Sequence, residues 1–369
     1  MSFAGPRGAQ EAGYRAVMSE TDPTHPTGPT ASEPVEPIRW GVLAPGRIAR
    51  QLARDLALVP DGRLVATGSR SLERSQAFAD EFGGLAYDSY AGVLADPDVD
   101  VVYVASPHSL HHEHVTAALE AGKHVLCEKP MTLDGDSTEQ LFDLARERGL
   151  FLMEAMWTAT HPMIRTLLGL LAPGADGEPS AYGVPRQVHA DLGFVVRAEE
   201  GDRLVDPALG AGALLDMGIY PLTFAHLVLG EPERLAAVAS LAPEGYDLDL
   251  AIAGLYAGGA VAALSATMTG DAPRTASIAT STGRFELPYG FHHPDHVTWT
   301  ATVDGETTSR RIEADEPLVG RGYGNEVLEV HRCLREGRLT SELVPPAQTI
   351  SLMRQMDDVR AQVGVSYRG

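Results

Sequence analysis

Two stretches of this sequence hold residue types that could move a proton together. The first, Glu128-Lys129-Pro130, directly follows the apolar run Val125-Leu126-Cys127. A lysine at the carboxyl end of a buried strand points into the crevice where open parallel sheets bind ligands. Burying an ammonium without a partner is costly, so packing alone does not account for it. The second stretch runs from Gly210 to Pro221 and sets Asp216 and Tyr220 four residues apart. On a helix these two share a face, while Leu215, Ile219 and Leu222 cover the opposite side. A carboxylate and a phenol next to a lysine make a proton-transfer set. The cation would pull the phenol's pKa down towards working pH.

Two further stretches suit a dinucleotide. In Gly41-Val42-Leu43-Ala44-Pro45-Gly46-Arg47-Ile48-Ala49, small residues fall at Ala44, Gly46 and Ala49. Such positions serve a tight turn, close backbone approach to pyrophosphate, and helix–strand packing. The helix start at Arg47-Ile48 offers free N–H groups and a positive dipole end. Alanine at the first place departs from the strict pattern, because a positive φ is less easy there. About 20 residues on, where an acidic side chain would bind the ribose of NAD, the chain reads Gly68-Ser69-Arg70-Ser71, with Arg74 one turn further. Hydroxyls and guanidinium groups suit a 2′-phosphate. NADP(H) is therefore the preferred cofactor, with NAD(H) possible.

The elements that must position these residues alternate. Strands at Ile38–Leu43, Leu64–Thr67, Leu85–Tyr87, Asp100–Ala105, His124–Cys127 and Leu150–Glu154 are separated by helical patterns. That order predicts an α/β domain with a doubly wound parallel sheet over residues 38–160. Past Thr160 the alternation stops. Runs at Gln187–Leu192, Leu235–Leu241, Leu250–Tyr256, Ala260–Met268 and Arg274–Thr280 predict a mostly antiparallel or mixed sheet. With a helix over Gly210–Leu229 and a final helix over Pro346–Val363, residues 161–369 read as an α+β domain for substrate binding and dimerisation. The final helix could pack back on the first domain.

Composition narrows the partners. The net charge is −21, from 50 acidic against 29 basic residues, a field that repels nucleic acid and anionic lipid. No uninterrupted run of about 18 apolar residues predicts a membrane span. Cys127 and Cys333 are too few for a disulfide framework, which fits a reducing cytoplasm. Residues 1–37 are rich in Pro, Thr, Ser, Glu and Gly and are expected to be disordered, with Met1 or Met18 as the start. Histidines gather at His108, His111, His112 and His114, and again at His292, His293 and His296. Neither set has a convincing cysteine or carboxylate to complete a zinc site, so no metal is expected.

These motifs carry a resemblance. Val125-Leu126-Cys127-Glu128-Lys129-Pro130, Leu152-Met153-Glu154-Ala155-Met156-Trp157-Thr158 and Gly212-Ala213-Leu214-Leu215-Asp216-Met217-Gly218-Ile219-Tyr220 resemble the glucose–fructose oxidoreductase, inositol dehydrogenase and rhizopine-catabolism superfamily. The likeness is greatest to its dihydrodiol and NADP-dependent D-xylose dehydrogenase branch and runs from Ile38 to about Tyr367. It implies a Rossmann domain, a sugar or polyol substrate, and pairing of second-domain sheets into a homodimer or homotetramer. It also implies Lys129 and Tyr220 as the catalytic pair, with Asp216 and Trp157 lining the substrate site. Ser106, Pro107 and His111 would lie near the nicotinamide ribose, beside Glu128 of the motif. One departure is Ala159, where that branch usually has arginine. A non-catalytic NAD(P)-binding sensor is the rival reading, though it would need neither Lys129 nor Tyr220. A hydrolase or epimerase using the cofactor transiently lacks its signature.

Overall fold

The computed structural model describes residues 36–198 and 201–367, so the expectations for residues 1–35 lie outside it. Strand β1 (Ile38–Leu43) ends in four consecutive buried residues and is joined by five parallel strands. These are β2 (Gly62–Gly68), β3 (Leu85–Tyr87), β4 (Val101–Val104), β5 (His124–Glu128) and β6 (Leu152–Ala155), ordered β3-β2-β1-β4-β5-β6. Every residue of β4 and β6 is buried, as strands covered on both faces require. The covering helices include α1 (Arg47–Leu56), α2 (Leu72–Phe82), α3 (Tyr90–Ala95), α4 (His111–Glu120) and α5 (Gly135–Arg148). Chain order reverses between β1 and β4, and the crevice past their carboxyl ends is the switch point where such sheets bind ligands.

Short helices α6 (Trp157–Thr160) and α7 (Pro162–Leu171) lead into a second sheet. Its strands are β7 (Pro185–Gly193), β8 (Pro232–Leu241), β9 (Asp247–Tyr256), β10 (Val261–Thr267), β11 (Ala276–Thr280), β12 (Arg284–Leu287), β13 (Val297–Val303) and β14 (Glu306–Ile312). They lie in the order β14-β13-β12-β11-β7-β10-β9-β8, and β7 with β10 is a parallel pair in an otherwise antiparallel ladder. Val188, Ala190, Leu192, Leu250, Ile252, Ala262 and Leu264 turn inward to one core, alternating with exposed neighbours as the pleat dictates.

Against that core lies α8 (Ile219–Leu229), and here the sequence reading needs correction. The expected helix over Gly210–Leu229 begins only at Leu214, as a π-helical turn (Leu214–Gly218) that runs into α8. Gly210 at φ 84° and Gly212 at φ 122° interrupt it, conformations a side chain rarely adopts. Asp247 closes the new start, its Oδ2 accepting the Leu214 N–H at 2.6 Å. The stretch Pro207–Leu229 is apolar and long enough to cross a membrane, yet 78% of its most apolar window is buried inside this fold.

The last helices, α9 (Tyr323–Arg335) and α10 (Pro346–Val363), return to the first sheet. Asp357 Oδ2 accepts the Gly135 N–H at the start of α5, and Arg354 pairs with Glu139. Asp55 Oδ2 on α1 accepts the backbone N–H groups of Arg321, Tyr323 and Gly324 at 2.7, 3.0 and 3.3 Å. A carboxylate in the last turn of α1 opposes that helix's own dipole; the N-terminus of α9 offsets the cost.

Candidate active site

The switch-point crevice widens into a cavity of about 750 Å³. One end is built by Gly46, Arg47, Ile48 and Gln51 at the start of α1. No side chain caps that helix, so its first N–H groups face the cavity unclaimed by a cap. Ala44 holds the preceding turn at φ 62°, which is the left-handed conformation the fingerprint demands, here borne by alanine. An uncapped helix start of this kind fits a pyrophosphate.

The walls beyond come from both sheets. Ser106 and Pro107 follow β4, Glu128 and Lys129 end β5, and Asp216 and Tyr220 descend from the π turn and α8. Lys129 Nζ donates to the Asp216 backbone carbonyl at 2.7 Å and to Asp216 Oδ1 at 3.3 Å. It lies 4.7 Å from the centre of the Tyr220 ring, over its face. Arg203 Nη1 reaches the same Asp216 Oδ1 at 3.0 Å and the Nε2 of His108 at 3.2 Å. Burial pushes the Asp216 carboxyl up, but Lys129 and Arg203 outweigh it and hold the group far below the ordinary range. Asp216 is thus an ionised bridge between two cations rather than a base. Burial, with Arg203 beside it, keeps His108 neutral and able to accept that hydrogen bond.

The phenol departs from expectation. Burial raises the Tyr220 pKa well above its ordinary value and Glu128 adds to this, while a hydrogen bond from Trp157 opposes them. The sequence reading had the lysine pulling that pKa down. Instead the ammonium faces the ring and spends its bonds on Asp216, so the phenol stays protonated at neutral pH.

Trp157 is also displaced from its expected role. It stands behind Tyr220 rather than on the cavity wall, and its Nε1–H donates to the Tyr220 oxygen at 3.1 Å. His111 does not line the cavity either. It is wholly buried, with its two ring nitrogens 2.8 Å from the carbonyls of Pro130 and Ser106, tying together the two loops that do. Ser69, Arg70 and Arg74 lie at the carboxyl end of β2, outside this cavity. Ser69 Oγ accepts the Ser71 N–H, and Ser71 caps α2 through the Arg74 N–H. Several wall residues escaped the sequence reading: Phe194, Arg203 and Tyr289 come from loops with no periodicity, and Arg274, expected to open a strand, precedes β11 instead. His108, His292 and His293, weighed among candidate metal ligands from the sequence, line this wall.

A parallel sheet with an uncapped helix at its switch point, joined to a lysine, a carboxylate and a phenol, is the architecture of a dinucleotide-dependent oxidoreductase. A model of the oxidoreductase family with an NAD-binding Rossmann fold matches residues 38–156, and one of the GFO/IDH/MocA C-terminal domain matches residues 178–286. The chain belongs to the GFO/IDH/MocA family of NAD(P)-dependent oxidoreductases. It is 31% identical over 346 residues to mouse trans-1,2-dihydrobenzene-1,2-diol dehydrogenase, covering 89% of this chain and 98% of that enzyme. It is 32% identical over 369 residues to the D-xylose 1-dehydrogenase (NADP(+)) of Hypocrea jecorina, covering 89% and 93%. Both relatives stand in the branch its motifs resemble. A 3-ketoreductase from Actinomadura kijaniata, solved with NADP and TDP-benzene, superposes with a TM-score of 0.78 at 28% identity, over 89% of this chain and 98% of that one. An aldose-aldose oxidoreductase from Caulobacter crescentus reaches the same TM-score at 23% identity over the same shares, a likeness of fold.

Proposed function

We propose that this chain catalyses reversible hydride transfer between NADP(H) and a carbinol carbon of a sugar, polyol or cyclic diol, with Tyr220 moving the proton. The observation that carries the reading is the convergence of Lys129, Asp216 and Tyr220 on one cavity that continues to the uncapped start of α1. Gly46, Arg47 and Ile48, on the turn set by Ala44, would hold the pyrophosphate. Ser69, Arg70 and Arg74 would meet the 2′-phosphate, and Ser106, Pro107 and Glu128 would border the nicotinamide end. When bound, the cofactor supplies the hydride chemistry. NADP preference is supported by the absence of an acidic residue at Ser69-Arg70 and by the NADP-dependent xylose relative.

In the reductive direction the Tyr220 phenol gives its proton to the substrate oxygen, a role suited to a group that burial keeps protonated. In the oxidative direction the phenolate oxygen takes the hydroxyl proton. An ammonium has three N–H donors, and Asp216 takes two from Lys129, which leaves the third for the developing alkoxide. A screen of aldoses, inositols and trans-dihydrodiols with both cofactors finds the substrate. On that substrate Tyr220→Phe should lower kcat by about 10²–10⁴ while NADPH affinity survives. Near-normal turnover would sink the mechanism.

Assembly and setting complete the reading. The outer face of the second sheet exposes Val238 and Val261 among alanines of β8, β9 and β10, an apolar surface suited to pairing into a homodimer or homotetramer. Light scattering at micromolar concentration should give at least a dimer, and a monomer would contradict it. Buried, unpaired Cys127 and Cys333 support a reducing, cytoplasmic setting.

A further inference from the structure

Trp157 stands directly behind Tyr220. Its indole N–H donates to the phenol oxygen at 3.1 Å, whereas the Lys129 ammonium sits over the ring face with its bonds directed at Asp216. Two aromatic rings stack on the indole. Tyr323 of α9 stacks at 4.8 Å between centroids and 4° between planes, and His293 stacks at 4.9 Å and 29°. Trp157 is half-buried behind Tyr220 and does not line the cavity. What it presents towards the site is one N–H, fixed in direction by the two neighbouring rings.

We propose that Trp157 is the positioning residue for Tyr220, and that its indole N–H, rather than the Lys129 ammonium, orients the phenol and stabilises its phenolate. A donor on the phenol oxygen leaves the O–H proton free to point away from Trp157, towards the cavity that Tyr220 lines. The same donor bonds more strongly to phenolate than to phenol, since charge-assisted hydrogen bonds are the stronger kind. It therefore eases proton loss in a site where burial resists it. Proton balance is unchanged: the proton passes between Tyr220 and the substrate oxygen, and the indole keeps its own.

The inference rests on Tyr220 as the acid/base, and the experiment separates the two. Trp157→Phe keeps an aromatic ring between Tyr323 and His293 but removes the N–H. With a confirmed substrate, the apparent pKa of the pH–kcat profile should move up by about one unit, and kcat near neutral pH in the oxidative direction should fall about tenfold. KM for NADPH should hold. A merely structural role would leave the pH profile in place. Tyr323→Leu keeps the N–H but removes one of the stacked rings, and should shift the profile the same way by a smaller amount; it substitutes as the test if Trp157→Phe does not fold. An unchanged pH profile in the folded variant, while Tyr220→Phe is nearly inactive, overturns the role of Trp157 alone. If Tyr220→Phe retains its kcat, the acid/base assignment falls and this inference falls with it.

Discussion

Replacing Asp55 by alanine tests how the two halves of the chain are held in register. Its Oδ2 accepts three backbone N–H groups, at 2.7, 3.0 and 3.3 Å, from the turn that opens α9. Asp55 is 3% exposed, so the donors it leaves behind would meet little water. Each buried donor stranded by a lost partner costs about 1–3 kcal/mol. Allowing less for the longest bond and for partial rehydration, Asp55→Ala should cost about 3–5 kcal/mol. Gly320, at φ 63°, lies so close that any side chain there would overlap the same carboxylate. Asp55→Asn keeps one acceptor oxygen and loses the charge, for a cost of about 1–2 kcal/mol. Urea unfolding monitored by far-UV circular dichroism measures both. Because a typical domain holds only about 5–15 kcal/mol, the alanine variant should unfold at much lower denaturant. An alanine variant within about 1 kcal/mol of the parent, with an unchanged slope, would refute the reasoning.

Three further outcomes are expected. Arg70→Ala should erase most of a tighter binding of NADPH over NADH, a change of roughly tenfold or more for a lost charge-assisted bond; fluorescence titration giving equal affinities in the parent would remove Arg70 from the cofactor site. Burial pushes Glu154 from 4.5 to about 7, against hydrogen bonds from Met131 and Thr349. An acid whose pKa is raised on folding stabilises the fold below its unfolded value and loses that contribution as pH climbs through the folded one. Thermal stability should therefore decline from pH 4.5 to 7, and Glu154→Gln should flatten the decline and gain about 2–3 kcal/mol at pH 8; a parallel curve in the variant would contradict this. Ala44→Gly relieves a left-handed alanine at φ 62° and should stabilise the fold by about 1 kcal/mol, read as a small rise in Tm, and a fall would show that the turn gains nothing from glycine.

The sequence by itself determined the local and periodic features of this protein. The alternating elements from Ile38 onwards specify a parallel sheet because strands buried on both faces must be apolar throughout, and β4 and β6 are. Helix α10 has the bounds Pro346–Val363 that its pattern predicts, opened by prolines and stopped by Gly364. That Lys129 and Tyr220 face one cavity was legible because a residue just past a buried strand and one spaced four from Asp216 on a helix have directions that local geometry dictates. Strand β14 was not legible, since six of its seven residues are exposed and no buried alternation marks it. Nor was the break before Leu214, where Asp247, 33 residues away in sequence, supplies the cap. Tertiary structure alone decided where the charges point. An ammonium, a guanidinium and a phenol have no fixed relation along a chain, and their pKa values depend on burial and on partners brought from distant segments. That is why Lys129 turned to Asp216, why Arg203 joined them from an aperiodic loop, and why Trp157 came to rest behind the phenol with Tyr323 and His293 stacked against it.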